Sequence, residues 1–281
     1  MFPNLGDKYI CIKEIGSGGA GVVNLALDTN TGFQVAVKTL FRSHFENNPK
    51  MLERFRIEAN IYLMLSHPNI VKLKDLILKD GAHLVMDYIE GMTLDHYIKT
   101  VTGPIPSEVA IAIIKEIASA IGYAHQKHIP ISGYSGVLHL DIKPSNILIS
   151  NTGKVMVIDY GISQGSNEDR FNQRIGSLMY MSPEQLQTNS ILDCRTDIYA
   201  LGVLLHQMLT NTTPYSAKFS QEEIISKIQN EPLERLVNIY PHVNIRLQKI
   251  IDTSTSKNPN NRFKNCVEFI NSLEKITNET N

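Results

Sequence analysis

The sequence has no tryptophan, only three cysteines, no excess of either charge and no long uninterrupted apolar run. Cys11, Cys194 and Cys266 lie far apart and form no C-x-x-C pair, which argues against a disulfide framework or a thiolate zinc site. The formal net charge of −1 leaves no surplus of Lys and Arg to neutralise a nucleic-acid backbone. We therefore expect a protein of the reducing cytoplasm that binds no nucleic acid.

The apolar segments are too short or too interrupted to cross a bilayer. Lys115 and Glu116 interrupt the apolar stretch 109–125, and the stretch 198–209 is too short for a membrane span. The N-terminus lacks the basic region and apolar run of a signal peptide. We expect no membrane insertion by this chain, and both stretches should be buried helices of a globular domain.

Strand patterns fill the first part of the chain, and helical patterns fill most of the rest. A helical spacing of apolar residues occurs in 49–66, and the spacing is mainly helical again after Gly91. Ser107 is the predicted N-cap of a helix that runs toward His125. Alternating apolar residues that predict strands occur, with their turns, in 9–16, 20–32, 33–41, 69–91, 146–150 and 154–161.

Three glycines, Gly16, Gly18 and Gly21, lie between the first two predicted strands in the stretch IGSGGAGVV. Residues without side chains let backbone N–H groups approach phosphate oxygens. A P-loop would need Lys and Ser or Thr after the last glycine, where Val22 and Val23 stand. A dinucleotide fold would need a helix there and a later acid, but a strand follows and VAVKTL contains no acid. A hairpin that closes over phosphates and a purely structural turn remain.

Lys38 and Glu58 are candidates for a functional ion pair. Lys38 projects from the predicted strand that follows the glycine hairpin, and Glu58 lies among the apolar positions of the next predicted helix. An unpaired carboxylate there would be costly to desolvate, whereas a pair would stabilise both charges. The alternative is two solvated surface charges, but the preceding glycine hairpin favours the pair.

Two neighbouring segments supply residues suited to proton transfer and metal binding. Asp141 and Asn146 have the spacing D-x-x-x-x-N in HLDIKPSNIL, and Lys143 lies between them. Asp159 follows an apolar run in VIDYG. Carboxylate and amide oxygens suit Mg²⁺, and a lysine can neutralise charge on a transferring phosphoryl group. Each residue alone has a structural alternative as a turn or cap residue, so the prediction rests on their joint occurrence in this order.

Taken in order, these motifs resemble the protein kinase family, in the style of bacterial serine/threonine kinases of the eukaryotic-like (Hanks) type. The resemblance runs from about residue 9 to about residue 272 and includes Ser182-Pro183-Glu184. It implies an α+β fold, the bilobal protein kinase fold, as one catalytic domain. The N-lobe, 1–88, should hold a small antiparallel sheet with one key helix, and the C-lobe, 89–281, should be mainly helical.

The resemblance also implies transfer of the γ-phosphate of ATP to Ser or Thr hydroxyls of a protein substrate. Asp141 would accept the hydroxyl proton, and Lys143 would stabilise the γ-phosphate. Lys38, held by Glu58, would orient the α- and β-phosphates. The family further implies that Asp197 braces the catalytic loop.

Metal and nucleotide contacts follow from the same resemblance. Asn146 and Asp159 would hold Mg²⁺, with Mn²⁺ as the alternative ion. Met86 would be the gatekeeper beside the adenine, and Arg262 would pair with Glu184. The implied nucleotide-binding residues are Ile15, Gly16, Gly18, Gly21, Val23, Ala36, Lys38, Met86, Asp87, Ile89 and Leu148.

The chain departs from the family pattern at four places. Leu140 replaces the arginine before Asp141, Tyr160 replaces Phe in the metal motif, Ser182 replaces Ala, and residues 130–136 are an insertion. In the family that arginine pairs with a phosphate on the activation segment, and leucine cannot donate a hydrogen bond. We therefore predict activity without phosphorylation of that segment. The insertion is either a tolerated surface loop or a docking or regulatory element.

Two other functions compete with a protein kinase. A pseudokinase would bind nucleotide as an interaction module without catalysis, and a kinase-like enzyme could phosphorylate a small molecule. All five residues expected for catalysis and metal binding are present, which favours an enzyme. The Ser-Pro-Glu motif and the region of Arg262 favour a protein substrate.

Overall fold

A computed structural model describes residues 5–17, 21–40, 55–56, 59–60, 62–79, 81–127, 136–158, 160, 178–188, 190–215, 218–239 and 243–277. The chain divides into two compact units, one formed from residues up to Glu90 and the other mainly from Gly91 onward.

The first unit contains a five-stranded antiparallel sheet. Its strands are β1 (Tyr9–Ser17), β2 (Gly21–Asp28), β3 (Gln34–Leu40), β4 (Leu73–Ile77) and β5 (His83–Asp87). Their spatial order is β1-β2-β3-β5-β4. The turn between β2 and β3 is closed by a hydrogen bond of 2.8 Å from Gly32 N to Asp28 O. Four of these strands lie within stretches that the alternating sequence pattern predicts, and β1 extends one residue, Ser17, beyond its predicted stretch.

The register of this sheet decides which side chains share a face. Val23 of β2 is opposite Lys38 of β3, and Ala36 is opposite Met86 of β5. Opposed residues and residues two apart lie on the same face of an antiparallel sheet. Val23, Ala36, Lys38 and Met86 therefore project from one face. A buried apolar cluster contains Tyr9, Ala26, Val35, Val37 and Val85 of the opposite face, together with Leu5, which precedes β1.

The helix predicted for 49–66 is described in part, with residues 55–56, 59–60 and 62–63 helical. Phe55, Ala59 and Tyr62 are buried, in agreement with the helical spacing that identified them. The Tyr62 hydroxyl donates to the Val71 carbonyl at 2.5 Å, which ties this helix to the chain before β4. Glu58 lies outside the described residues.

The second unit is mainly helical. Its helices are α1 (Ser107–His125), α2 (Cys194–Thr210), α3 (Gln221–Asn230), α4 (Leu236–Ile239), α5 (Ile245–Ser254) and α6 (Cys266–Thr277). A short helical segment, Leu94–His96, continues into a π-helical turn, Tyr97–Thr102. Helix α2 is buried at every residue from Thr196 to Thr210, so it forms the centre of this unit. None of the helices in the described part of the chain is long and apolar enough to span a membrane.

The start of α1 differs by one residue from the sequence prediction. Pro106, not Ser107, is the N-cap, and its carbonyl accepts the first helical hydrogen bond, from Ala110 N, at 2.9 Å. Proline has no N–H and a fixed φ, so the boundary position suits it and Ser107 becomes the first helical residue. The prediction that Ser107 is the N-cap was therefore wrong.

A second, three-stranded sheet was only partly predicted. Its strands β6 (Gly91–Thr93), β7 (Ile147–Ser150) and β8 (Val155–Val157) lie in that order. The sequence pattern indicated β7 and β8 but not β6, because three residues are too few to show a period. Gly91 is required by the pairing with β7, since a Cβ there would lie 2.1 Å from the Ile149 carbonyl oxygen.

Candidate active site

Three of the predicted catalytic and metal-binding residues lie together in the loop before β7. Lys143 Nζ is 3.0 and 2.8 Å from Oδ1 and Oδ2 of Asp141. The Asn146 amide donates to the Asp141 carbonyl at 2.8 Å and to Asp141 Oδ2 at 2.9 Å. Asn146 belongs to a single 3₁₀ turn that begins at Pro144. The loop thus presents a carboxylate, an ammonium and an amide at fixed distances.

The backbone before Asp141 is held by the buried side chain of Asp197. Asp197 Oδ1 accepts from Leu140 N, and Oδ2 accepts from His139 N, both at 2.8 Å. His125 Nε2, at the end of α1, lies 2.7 Å from Asp197 Oδ2. A carboxylate only accepts hydrogen bonds, so this imidazole nitrogen carries a proton. The expectation that Asp197 braces this loop is confirmed by these bonds.

Asp197 stays ionised despite its burial. Burial alone would raise the pKa of this carboxyl, but the bonds from His125 and from the backbone of His139 hold that pKa below its ordinary value. The loop is therefore anchored to a carboxylate that retains its charge at neutral pH. Sequence reasoning did not identify His125, because nothing in its local spacing marks the last residue of an apolar helix as a partner of α2.

Leu140, the main departure from the kinase pattern, has φ of +62°. Residues other than glycine rarely adopt this left-handed backbone conformation, so the backbone just before Asp141 is strained. Its N–H is held by Asp197, and its carbonyl accepts from Gln185 Nε2 at 3.0 Å. The Gln185 contact joins residues 45 positions apart, and no pattern in the sequence predicted it.

The side chains of His139 and Tyr160 are buried and their rings contact each other. The two rings have centroids 4.7 Å apart, and the Tyr160 hydroxyl donates to the Ala120 carbonyl at 3.2 Å. His139 Nε2 donates to the Ile158 carbonyl at 3.2 Å, which leaves Nδ1 to accept from Asp141 N at 3.3 Å. Tyr160 is buried, so the substitution of Tyr for Phe keeps the ring and adds one satisfied hydrogen bond.

The predicted pair between Arg262 and Glu184 is confirmed. The Arg262 guanidinium donates to both Glu184 oxygens, at 2.7 and 2.8 Å. Thr196 Oγ1 of α2 also donates to Glu184, at 3.1 Å. Burial would raise the pKa of the Glu184 carboxyl, but the Arg262 guanidinium holds that pKa below its ordinary value.

This pair gives the fold a pH dependence that a variant can isolate. A depressed pKa in the folded state contributes stability above the ordinary pKa of about 4.3, and the contribution is lost as pH falls below that value. Glu184→Gln should lower the free energy of unfolding by about 3–5 kcal/mol at pH 7. Urea unfolding at pH 7 and near pH 3.5 should show a smaller parent–variant difference at the lower pH. A constant difference would contradict the role of the Glu184 charge.

In the first unit, the predicted nucleotide-binding residues lie on the sheet. Lys38, Val23 and Ala36 are partly buried on one face, and Met86 on the same face is 6% exposed. Ile15 is 40% exposed near the end of β1. In the second unit, Leu148 is partly buried in β7, opposite Met156.

Gly21 begins β2, where its lack of a side chain has a packing reason. A Cβ at Gly21 would lie 2.0 Å from the Thr39 carbonyl oxygen, whereas one at Gly16 would meet nothing within 4 Å. The strand pairing thus requires glycine at position 21 whether or not phosphate binds. At Gly16 the structure shows no such packing requirement.

These two glycines should respond differently to alanine. Gly21→Ala should lower the free energy of unfolding by at least about 2 kcal/mol, because β2 and β3 must separate to admit the methyl group. Gly16→Ala, the matched control, should leave it unchanged or raise it by up to about 1 kcal/mol. Thermal and urea unfolding measure both changes, and equal effects would contradict the packing difference.

Several predicted residues lie outside the described part of the chain. These are Gly18, Glu58 and Asp159, with residues 130–135 of the insertion. Among the others, Asp87 ends β5, where its carboxylate lies 2.9 Å from Lys74 Nζ and its N–H donates to the Lys72 carbonyl at 3.0 Å. Ile89 lies in the extended chain that follows.

The chain is similar to a known protein family over nearly its whole length. A family model described as a protein kinase domain matches residues 9–276. Serine/threonine-protein kinase PrkC of Bacillus subtilis is 36% identical over 270 residues, which cover 94% of this chain and 40% of that protein. The probable serine/threonine-protein kinase PknB of Lactococcus lactis is 35% identical over 275 residues, which cover 96% of this chain and 42% of that protein. The chain thus spans about two fifths of the length of these relatives.

A similar fold is known from crystal structures. The kinase domain of Mycobacterium tuberculosis PknI matches with a TM-score of 0.74 and 22% sequence identity, over 96% of each chain. At this identity the likeness concerns the fold. It agrees with the antiparallel sheet of the first unit and the helices of the second.

Proposed function

We propose, on the premise that this chain belongs to the protein kinase domain family, that it transfers the γ-phosphate of ATP to serine and threonine hydroxyls of proteins. The α+β fold predicted from the sequence, the protein kinase fold, is confirmed by the likeness to PknI. The observation that carries the proposal is the arrangement of Asp141, Lys143 and Asn146 on a loop braced by Asp197. We propose residues 9–272 as one catalytic domain, with lobes 1–88 and 89–281.

Asp141 is the proposed general base. Its carboxylate is partly exposed, and it accepts from Lys143 and Asn146 without being enclosed. It can therefore still accept a proton from a substrate hydroxyl as that oxygen attacks phosphorus. Transfer of a phosphoryl group requires positioning and charge neutralisation rather than a covalent enzyme intermediate.

Two lysines are proposed to neutralise the phosphates. Lys143 would move from Asp141 toward the γ-phosphate, because a dianionic oxygen cluster competes well for an ammonium group. Lys38 projects from β3 on the face shared with Val23, and its proposed role is to hold the α- and β-phosphates with support from Glu58. Both roles rest on the family.

The residues present suit a hard divalent cation. The side-chain nitrogen Nδ2 of Asn146 donates two hydrogen bonds to Asp141. The side-chain oxygen Oδ1 is therefore the atom that remains to coordinate a metal. We propose Asn146 and Asp159 as the ligands of Mg²⁺, with Mn²⁺ as the alternative. A bound cation would neutralise charge on the phosphates during transfer.

The adenine contacts are proposed from β5 and the chain after it. Met86 would limit the depth of the adenine site, and Ile15, Val23, Ala36 and Leu148 would supply apolar surface. The N–H of Asp87 already donates to the Lys72 carbonyl, so the contact proposed for Asp87 is through its own carbonyl. The contact proposed for Ile89 is through its backbone. Gly16, Gly18 and Gly21 would cover the phosphates.

We also propose that activity does not depend on phosphorylation of the segment from Asp159 to Glu184. Leu140 offers no charge to a phosphate, and the backbone of Leu140 is held instead by Asp197 and Gln185. A switch of the usual arginine type is therefore not available at this position.

Alanine at Ser163 and Ser166 tests this independence. The double variant should keep its turnover rate within about twofold of the parent, because no arginine precedes Asp141 to receive a phosphate. Steady-state phosphate transfer by parent and variant, each first treated with a phosphatase, measures it. A hundredfold fall in turnover would show that the serines are required.

The assay of the proposed function is transfer of labelled phosphate from ATP to a generic protein substrate, with Asp159→Asn as the inactive control. We expect transfer to Ser and Thr by the parent and none by the variant. Nucleotide binding without transfer by the parent would support the pseudokinase alternative. Transfer only to small hydroxyl compounds would support a small-molecule kinase.

A further inference from the structure

We propose that Gln185 is a positioning residue that fixes the catalytic loop from the segment after the Ser-Pro-Glu motif. This inference rests on the proposed kinase function. Gln185 is 5% exposed and belongs to the short 3₁₀ turn Pro183–Leu186. Its side chain joins this turn to Leu140, the residue immediately before the proposed base Asp141.

Both polar atoms of the Gln185 side chain form hydrogen bonds, the oxygen as acceptor and the nitrogen as donor. Oε1 accepts from Ser182 N at 3.0 Å and from Ser182 Oγ at 3.3 Å. Nε2 donates to the Leu140 carbonyl at 3.0 Å. A primary amide carries an acceptor oxygen and a donor nitrogen on the same carbon, which neither a carboxylate nor an apolar side chain of this size offers.

The turn that carries Gln185 is itself firmly anchored. Glu184, its neighbour, is held by the buried Arg262 guanidinium and by Thr196. Arg262 also donates to the carbonyls of Ser256 and Arg195, at 2.7 and 2.9 Å. The side chain of Gln185 therefore links the Leu140 carbonyl to an anchored turn, and any shift of that turn would move the carbonyl.

The effect on Asp141 follows from the position of the contact. The Leu140 carbonyl belongs to the peptide group that leads directly into Asp141, so fixing it fixes the direction of that residue. Asp197 holds the N–H of Leu140, and Gln185 holds its carbonyl. With φ of +62°, this residue would relax without both restraints. The hydrogen bond from Gln185 to Leu140 involves no charged group and uses a backbone carbonyl. It therefore does not need the arginine that the kinase family has at position 140.

Two substitutions separate the two ends of the amide. Gln185→Glu keeps the acceptor for Ser182 N but replaces the donor with a carboxylate oxygen that repels the Leu140 carbonyl. Gln185→Met keeps the length and removes both functions. Gln187, an exposed residue one position beyond the turn, is the matched control, as Gln187→Glu and Gln187→Met.

Kinetics supply the first measurement. Both Gln185 variants should lower kcat about ten- to a hundredfold while KM for ATP stays within about twofold, because misplacement of the base affects the transfer step alone. In an Asp141→Asn background, Gln185→Met should cause no further fall, since the residue acts through Asp141. Full activity in the folded Gln185 variants, or an equal fall in the Asp141→Asn background, would overturn the proposal.

Backbone amide exchange supplies a measurement that does not depend on activity. Gln185→Met should speed exchange of the Leu140 and Asp141 amides about tenfold or more, and Gln187→Met should leave it unchanged. Unchanged exchange in Gln185→Met would overturn the link. If the parent transfers no phosphate, the proposed function fails, while faster exchange would still establish that Gln185 holds the loop.

Discussion

Asp141→Asn should lower the rate of phosphate transfer about a thousandfold and leave the fold intact. A positioned general base contributes about 10²–10⁴-fold, and asparagine cannot accept the hydroxyl proton. Asparagine keeps an oxygen for Lys143 and nearly the same shape, so KM for ATP and the free energy of unfolding should change little. Single-turnover transfer with saturating ATP measures the chemical step directly.

The control for this variant is the same substitution at a carboxylate that has no proposed catalytic role. Asp252 is exposed on α5 and accepts from Gln248 Nε2 at 2.7 Å. Asp252→Asn should keep the parent rate within about twofold. A fall of less than tenfold in Asp141→Asn would mean that another group accepts the proton, and the assignment of Asp141 would be wrong.

Asp197→Asn should lower the free energy of unfolding by about 3–5 kcal/mol. The carboxylate accepts three hydrogen bonds, from the backbone N–H groups of His139 and Leu140 and from the His125 imidazole. Asparagine has one acceptor oxygen, and its NH₂ group would face N–H donors inside the protein. At least one buried donor would be left without a partner. Urea unfolding measures the loss.

This variant should also lose activity, because the backbone of His139 and Leu140 directs Asp141. Asp95→Asn is the matched control: Asp95 forms a surface ion pair with Lys99 at 2.9 Å, which should contribute no more than about 1 kcal/mol. If Asp197→Asn costs no more than Asp95→Asn, the buried carboxylate is not the anchor of the loop.

The order of elements could be predicted from the sequence because it depends on local periodicity. Alternation indicated all five strands of the first sheet, and the apolar spacing in 109–125 indicated α1. That Asp141, Lys143 and Asn146 lie close together could be predicted as well, since they fall within six consecutive residues. Residues so close in sequence are held near one another by the chain itself.

What the sequence left undetermined depends on partners that are distant in the chain. Strand β6 exists only because β7 pairs with it, and three residues carry no periodic signal of their own. The contact between Gln185 and Leu140 and the contact between His125 and Asp197 arise where separate segments pack together. A hydrogen bond across 45 or 72 positions has no local pattern, so only the tertiary structure shows it.

By itself, the sequence determined which residues are available for the chemistry and on which elements they lie. The alternation along β3 places Ala36 and Lys38 on one face, but only the register places Val23 and Met86 beside them. The sequence likewise showed that leucine occupies position 140, where the kinase family has an arginine. The tertiary structure decided how its peptide groups are held, because a left-handed residue is stable only where surrounding contacts oppose its relaxation.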